Sequence, residues 1–483
     1  MLLQHIYILV SVMNLLLAAV LIFLERKNVA ATWAWLMVLL FLPGVGFLLY
    51  LLLGQNLSKR RIYKIKDEEF SYFKQQADVQ LEALESNRYP FHDPAMQQHR
   101  DMIVMHLRND LAIFTQDNEV DIFTDAHSKF EHLLASINEA TDHIHIHLLY
   151  YIFRKDQLGN KVLNALVAKA KQGVRVRILY DDIGSAGISG RFFKPLREAG
   201  GEVAAFFPSR IPFFNFRLNY RNHRKIAVID GKVGFIGGIN IGDEYLGKDE
   251  YLGYWRDSHL MIRGSAVLLL QGRFLLDWNL ATTKRFEPTP AYFPFPEKEQ
   301  GQVGIQIVSS GPNSEREQIR HGFLKMIHRA QKCIYLQTPY FIPDESLLSA
   351  LRIAALSGVK VKIMFPSKTD NVLVSWASSS YLGDLLKAGV RIFLYEKGFL
   401  HAKSMVVDEQ IATVGTANTD IRSFTLNFET NAFLYDTAIA SKLSEIFQHD
   451  LLDCREWTWD EYRNRPLSTR LKESLARLLS PLL

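Results

Sequence analysis

The pattern of hydrophobic and polar positions changes character near residue 58. Ile6 to Leu24 is an uncharged run of nineteen residues, and residues 28–58 form a second uncharged run, densest from Ala31 to Leu53. As helices, both are long enough to cross about 30 Å of hydrocarbon. Glu25, Arg26 and Lys27 separate them. Trp33, Trp35 and Tyr50 lie near the ends of the second run, and Pro43-Gly44 predicts a kink within it. The pattern predicts a two-span membrane anchor over residues 1–58. A cleaved signal peptide is the weaker reading, since no small-residue cleavage site follows the first run. A re-entrant hairpin stays open. Lys59, Arg60, Arg61, Lys64 and Lys66 follow the second run and outnumber Arg26 and Lys27. That bias predicts a multi-pass membrane protein with its large C-terminal part, and its N-terminus, on the cytoplasmic side. The same cluster suits anionic headgroups.

Residues 59–112 read as a polar, helical juxtamembrane connector. From residue 113 short apolar runs alternate with helical stretches, an α/β pattern. The chain then repeats itself. His147-Leu-Leu-Tyr-Tyr-Ile-Phe is followed by a helical segment and by Gly173-Val-Arg-Val-Arg-Ile-Leu. Gln337-Thr-Pro-Tyr-Phe-Ile is followed by a helical segment and by Gly358-Val-Lys-Val-Lys-Ile-Met. Each Gly-Val-basic-Val-basic run predicts a strand after a helix C-cap, with its charges on a solvated face. A period near 185 residues is too long for a solenoid and marks a duplicated half-domain. Glu287 to Glu299 carries four prolines and reads as the linker. The expected units are a first half at 113–286, a second at 300–458 and a C-terminal amphipathic tail at 459–483. In that tail Leu471, Leu475, Leu478, Leu479 and Leu482 recur at helical spacing among Arg470, Lys472 and Arg477. An interfacial helix and a helix closing the core fit this pattern equally well.

Composition narrows the classes. A chain of 483 residues that is 48% hydrophobic and 22% charged is not wholly disordered. Its net charge of +5 is too weak to argue for nucleic acid, and none is expected as a partner. Two cysteines, Cys333 and Cys454, exclude a disulfide scaffold. His143, His145 and His147 alternate on one strand face, but no acid cluster accompanies them. A buried structural strand explains them better than a metal site, and neither metal nor cofactor is expected.

The chemistry sits in a motif that occurs twice. His223-Arg-Lys225 precedes Asp230, Gly237 and Asn240, and His401-Ala-Lys403 precedes Asp408, Gly415 and Asn418, at identical spacing. The apolar residues after each histidine predict a strand, so His and Lys share one face about 6–7 Å apart at the backbone. One phosphate reaches both. The glycines admit close backbone approach, and each asparagine offers a neutral donor. The bland reading, a surface strand with a chance His and Lys, explains one copy. It does not explain two copies at matching places of a duplicated half.

These residues resemble the phospholipase D superfamily, and within it the bacterial cardiolipin synthases. The resemblance rests also on the two N-terminal runs and on Ala31-Thr-Trp-Ala-Trp-Leu. Further segments that carry it are Asp243-Glu-Tyr-Leu-Gly, Gly253-Tyr-Trp-Arg-Asp257, Thr338-Pro-Tyr-Phe-Ile-Pro-Asp344 and Arg422-Ser-Phe-Thr-Leu-Asn-Phe-Glu429. It covers nearly the whole chain. Two departures stand out. Thr416 stands where the family usually has Ser, and Leu149 stands where many members carry an acid. The resemblance implies two α/β/α half-domains related by a pseudo-twofold axis, with both motifs in one cleft. It implies phosphatidyl transfer between two phosphatidylglycerol molecules, giving cardiolipin and glycerol through a phosphohistidine. Lys225 and Lys403, with Asn240 and Asn418, would offset the phosphate charge. His223 would be the nucleophile and His401 the acid/base. Asp230 and Asp408 belong to the catalytic motif, and their expected part is to hold its geometry. By downstream position, Asp257 would orient His223 and Glu429 would orient His401.

Transfer rather than hydrolysis needs water excluded and lipid held nearby. Phe192, Phe193, Phe206, Phe207, Phe213, Phe214 and Phe216, with Arg210, Arg217 and Arg221, suggest a lipid-facing mouth, although ordinary core explains any single phenylalanine. A phospholipase D-type hydrolase or a transphosphatidylase with another headgroup acceptor is the nearest alternative. A related nuclease fits the motif alone. A scaffold that only binds anionic lipid fits less well, since both motifs are complete. The oligomeric state, including a homo-oligomer, is left open.

Overall fold

The computed structural model describes residues 67–147, 153–206, 220–283, 289–294 and 301–480, apart from positions 183, 186, 189 and 315, and parts of the first fifty residues. Leu21–Glu25 and Val29–Phe41 are helical, and Leu21, Leu39 and Tyr50 pack together. Among the described residues no helix is long and apolar enough to cross a membrane. The rest of the two predicted spans and the basic cluster at 59–66 lie outside the described residues.

Two further helices lead into the repeat, α1 (Asp67–Glu85) and α2 (Arg100–Asp110). They are more than a connector. Ala77, Leu84, Met102, Ile103 and Leu107 join Ile319 and Phe323 of the second half in one core. Asp101 meets Lys325 and Arg329, both at 2.6 Å. The apolar face of α2 is interleaved with Arg100, Asp101, Arg108 and Asp110, which is why the stretch reads as solvated.

The first half runs β1 (Phe114–Phe123), α3 (Ala126–Glu139), β2 (His143–His147), α4 (Gln157–Lys171), β3 (Arg175–Asp181), β4 (Glu202–Phe206), β5 (Arg221–Asn222), β6 (Ile226–Ile229), β7 (Val233–Gly237), β8 (Tyr254–Arg256), β9 (His259–Arg263) and α5 (Ala266–Ala281). The second runs β10 (Val303–Ser310), α6 (Gln318–Arg329), β11 (Cys333–Gln337), β12 (Phe341–Ile342), α7 (Glu345–Leu356), β13 (Lys360–Pro366), α8 (Val372–Lys387), β14 (Arg391–Tyr395), β15 (Gly398–Leu400), β16 (Ser404–Val407), β17 (Ile411–Gly415), β18 (Thr419–Asp420), β19 (Asn427–Tyr435) and α9 (Thr437–Asp450). β20 (Cys454–Trp457) and α10 (Leu467–Leu478) follow.

One sheet unites both halves, in the order β20-β14-β13-β11-β16-β17-β19-β10-β1-β9-β7-β6-β2-β3-β4. Apart from the extra β20, the order reads outward identically from the β10–β1 junction. That junction is antiparallel, with Phe114 opposite Gln306. It is the seam of an approximate twofold axis. The inferred duplication shows in the local chemistry too. Asp156 caps α4 through the Gly159 N–H, and Asp344 caps α7 through the Ser346 and Leu347 N–H groups. After each helix a glycine takes left-handed backbone, Gly173 at φ +91° and Gly358 at φ +92°. The strands that follow alternate as predicted, with Val176 and Val361 buried and Arg175 and Lys360 exposed.

Two short ladders cross between halves. β8 pairs in parallel with β15, and β5 pairs in parallel with β19. Each therefore carries a first-half segment onto a second-half one.

The phenylalanine group is corrected here. Phe192 and Phe193 pack in the first-half core with Phe153 and Tyr180, and Phe206 packs with Phe274 and Phe428. Arg221 is buried as well. These four side chains line no open surface. Phe207, Phe213, Phe214, Phe216, Arg210 and Arg217 lie outside the described residues, as does Leu149.

Candidate active site

Both histidines sit just before a strand of the central sheet. His223 and Lys225 lead into β6, and His401 and Lys403 lead into β16. The antiparallel pairs β6–β7 and β16–β17 bring each glycine–asparagine segment back beside its own His-Lys pair. All four side chains are largely buried, with the His223 side chain 20% exposed and that of His401 13%.

Backbone hydrogen bonds lock each histidine to the opposite half. The His223 N–H donates to the Phe428 carbonyl at 2.8 Å, and the His401 N–H donates to the Arg256 carbonyl at 2.7 Å. The next residues along those partner strands are Glu429 and Asp257. Consequently Nδ1 of His223 lies 3.1 Å from Oε1 of Glu429, and Nδ1 of His401 lies 2.7 Å from Oδ2 of Asp257. This reverses the assignment expected from downstream position. Asp257 serves His401 and Glu429 serves His223. The two crossing ladders cause the exchange.

The acids are held by their own halves. The Ser258 N–H donates to Asp257 at 2.7 Å. Thr416 Oγ1 donates to Oε2 of Glu429, and Asn427 Nδ2 donates to Oε1 at 3.1 Å. Thr416 thus acts through its hydroxyl, which Ser also carries. Its counterpart Gly238 has no side chain, and a Cβ there would collide with the Asp257 carboxylate.

The electrostatics follow from burial and from this pairing. Burial pushes the His401 ring down to about 4, with Lys403 adding to the effect and Asp257 opposing it. Burial also lowers His223, against the pull of Glu429. Each ring feels the ammonium of the other half, His223 that of Lys403 and His401 that of Lys225. Burial lowers Lys403 to about 8 and lowers Lys225 as well. It pushes Asp257 and Glu429 up, yet their cationic neighbours hold both below the ordinary carboxylate range. The result is two neutral imidazoles, two ammonium groups and two carboxylates in one buried cluster.

The motif aspartates stand apart from this chemistry. Asp230, at φ +53°, accepts from the N–H groups of Thr141, Asp142 and His143 and from the Thr141 hydroxyl. Asp408, at φ +55°, accepts from the N–H groups of Gln331, Lys332 and Cys333. They pin the loops that enter β2 and β11. Asn240 donates to the Tyr245 hydroxyl, and Asn418 is buried beside Asp420. His143 meets Asp142 at 2.7 Å and packs its ring on Tyr292, away from the cleft.

Residue chemistry alone missed the wall around His401. Trp255, Phe399 and Tyr245 pack their rings 5.4, 5.7 and 6.2 Å from it. Tyr340 donates to Asp370 at 2.5 Å nearby, and the Asp370 charge reaches Lys403. The signal was present in Gly253-Tyr-Trp-Arg-Asp257, which carried the resemblance but received no role beyond Asp257.

Comparison with known proteins follows the same lines. The family described as "Cardiolipin synthase, PLD-like domain" matches residues 133–261 and again 323–451. The family described as "Phospholipase_D-nuclease N-terminal" matches residues 12–55. The major cardiolipin synthase of Bacillus subtilis (strain 168) is 52% identical over 475 residues, covering 98% of each chain. A cardiolipin synthase of Listeria innocua is 50% identical over 484 residues, covering 100% of each chain. Among solved structures, the phosphatidylserine synthase of Haemophilus influenzae Rd KW20 superposes with a TM-score of 0.61 at 15% identity. The match covers 78% of this chain and 99% of that one, a likeness of fold. Two copies of the family domain and half-identical relatives over the full length lead to one conclusion: the chain belongs to the cardiolipin synthases of the phospholipase D superfamily, which are phosphatidyltransferases.

Proposed function

We propose that the chain joins two phosphatidylglycerol molecules into cardiolipin and glycerol by way of a phosphohistidine. Nδ1 of each ring is engaged by a carboxylate, which leaves Nε2 as the reacting atom. Nε2 of His223 attacks phosphorus and the P–O bond to glycerol breaks. His401, protonated once the anionic lipid has offset the neighbouring ammonium groups, passes its proton to the leaving alkoxide. The hydroxyl of a second phosphatidylglycerol then enters and gives its proton back to His401. Its oxygen bonds to phosphorus as the N–P bond breaks. Lys225 and Lys403 offset charge on the phosphoryl oxygens throughout, with Asn240 and Asn418 as neutral donors. Asp230 and Asp408 keep the entering loops in place.

The observation that carries this reading is the exchange of carboxylates, because it makes each histidine dependent on the opposite half and binds both motifs into one site. The N-terminal runs are read as two spans, with the catalytic part on the cytoplasmic side and the basic cluster against headgroups. The decisive assay gives the purified protein phosphatidylglycerol vesicles in the presence of a chelator and identifies lipid products by mass spectrometry. Cardiolipin with released glycerol is expected. Phosphatidic acid alone would replace transfer with hydrolysis.

A further inference from the structure

Helix α10 packs with an unusual face inward. Leu467, Leu471, Leu475 and Leu478 form one stripe at helical spacing, and all are exposed, at 81%, 60%, 56% and 76%. Leu479 borders them, also exposed. The helix buries instead Glu473 and Ala476, with Ser480 just beyond it. Glu473 pairs with Arg465, and Ala476 joins Ile342, Val374 and Ala377. At about 100° per residue, Lys472 flanks the leucine stripe on one side, and Arg470 and Arg477 flank it on the other. Lys472 lies over the Trp376 ring at 5.3 Å and Arg477 over the Tyr381 ring at 4.8 Å, so α10 rides on α8.

This pair of helices borders the cleft. Tyr340 lies against the same small cluster as Ala476, and its hydroxyl donates to Asp370, whose charge reaches Lys403. Two residues beyond Asp370, the start of α8 exposes Val372 and Leu373, at 52% and 45%.

We propose that the leucine stripe of α10, with Val372 and Leu373, seats the catalytic part on the anionic bilayer that holds its substrate. The leucines enter the acyl boundary and Arg470, Lys472 and Arg477 lie among headgroup phosphates. Charge selects this occupant over a second copy of the chain. The acid of α10 is buried and paired inward, so a twofold contact through this face would set its cations against their own images. Anionic headgroups complement them. The sequence left two readings of this segment: the small and polar face closes on α8, and the open apolar face is the part the proposal assigns to the interface.

The proposal rests on the lipid-substrate reading for the location of substrate, and its test separates the two. Full-length Leu475→Cys protein, labelled with a polarity-sensitive dye, is reconstituted into vesicles of phosphatidylglycerol and phosphatidylcholine, with unsubstituted protein as the labelling blank. Quenching by a lipid-borne quencher is expected, weakening when phosphatidylglycerol is omitted. In parallel, Leu471→Gln/Leu475→Gln is expected to slow cardiolipin formation about tenfold on vesicles and less than about twofold on detergent-dispersed lipid. A dye that reports water in anionic vesicles overturns the proposal. So does an equal loss of activity on both substrates, or a switch from oligomer to monomer with vesicle activity intact. Because the dye reports membrane contact without turnover, absence of cardiolipin in every sample would instead count against the functional reading.

Discussion

His223 and His401 leave equivalent strands of the two halves, yet their surroundings differ. His401 meets a short carboxylate, Asp257, at 2.7 Å and is walled by Trp255, Phe399 and Tyr245. His223 meets the longer Glu429 at 3.1 Å, and Thr416 and Asn427 steady that carboxylate. Beside the short acid stands Gly238; beside the long one stands Thr416 with a hydroxyl to give. Acid and neighbour are matched as pairs, so a duplicated motif does not make duplicated environments. The aromatic side holds the His401 ring near 4, chiefly through burial, so that ring is neutral near pH 7. A proton there therefore depends on the charge that the substrate brings.

The comparison breaks most sharply at the histidines. His223→Ala and His401→Ala are each expected to lower cardiolipin formation by at least about 10³-fold. Only His401→Ala should retain a phosphorylated His223 when supplied with labelled lipid, seen by mass spectrometry of the quenched protein. A label found on His401 in His223→Ala would exchange the two roles.

Next come the crossed carboxylates. Asp257→Asn and Glu429→Gln are expected to cost about 10²–10⁴-fold in rate through loss of the oriented tautomer. The crossing makes a sharper demand on the rings. A carboxylate raises its imidazole's pKa, so Asp257→Asn should lower His401 further and leave His223 in place. Glu429→Gln should do the reverse. Ring titration by NMR decides between this pairing and the one within each half.

Acid should expose the cost of keeping histidines neutral. Burial depresses His99 to about 4 and His106 to about 3, alongside His401 at about 4, from 6.5. The unfolded chain binds protons at these sites over that interval and the folded chain does not. Stability is therefore expected to be fully present above pH 6.5 and to fall as pH drops toward 4, as read by melting temperature. A flat profile across this window would mean that these rings are accessible.

The smallest effect concerns Thr416. Thr416→Ser keeps the hydroxyl and should stay within about twofold of the parent rate. Thr416→Val leaves Glu429 short of one donor and should lose about tenfold, the worth of one hydrogen bond to a charged group. Parent-like rates for Thr416→Val would remove that bond from the account.

Much of the site is legible in the sequence. The matched spacing in His223-x-Lys225 and His401-x-Lys403 marked the entry to a strand in each half, although the strands themselves begin one residue later, at Ile226 and Ser404. The paired Gly173 and Gly358 announced the same helix-to-strand turn in each half. Three features were not legible. The apolar face of α2 was hidden by interspersed charges. Phe192, Phe193 and Phe206 read as a mouth because neighbouring aromatics in a chain look alike whether they face one another or solvent. The carboxylate assignment followed chain order, whereas the strands do not.

What the sequence determined by itself is therefore local: the elements, the duplication, the reactive groups and the spacing that makes them one kind of chemistry. These depend on bond lengths and on the two backbone periods, which act over a few residues. Tertiary structure decided which acid answers which imidazole, where α1 and α2 belong, and which face of α10 stays open. The first of these choices depends on the crossing of β8 with β15 and β5 with β19, and the second on the antiparallel β10–β1 seam. They bring together residues more than a hundred positions apart, and no short-range rule carries information over that separation.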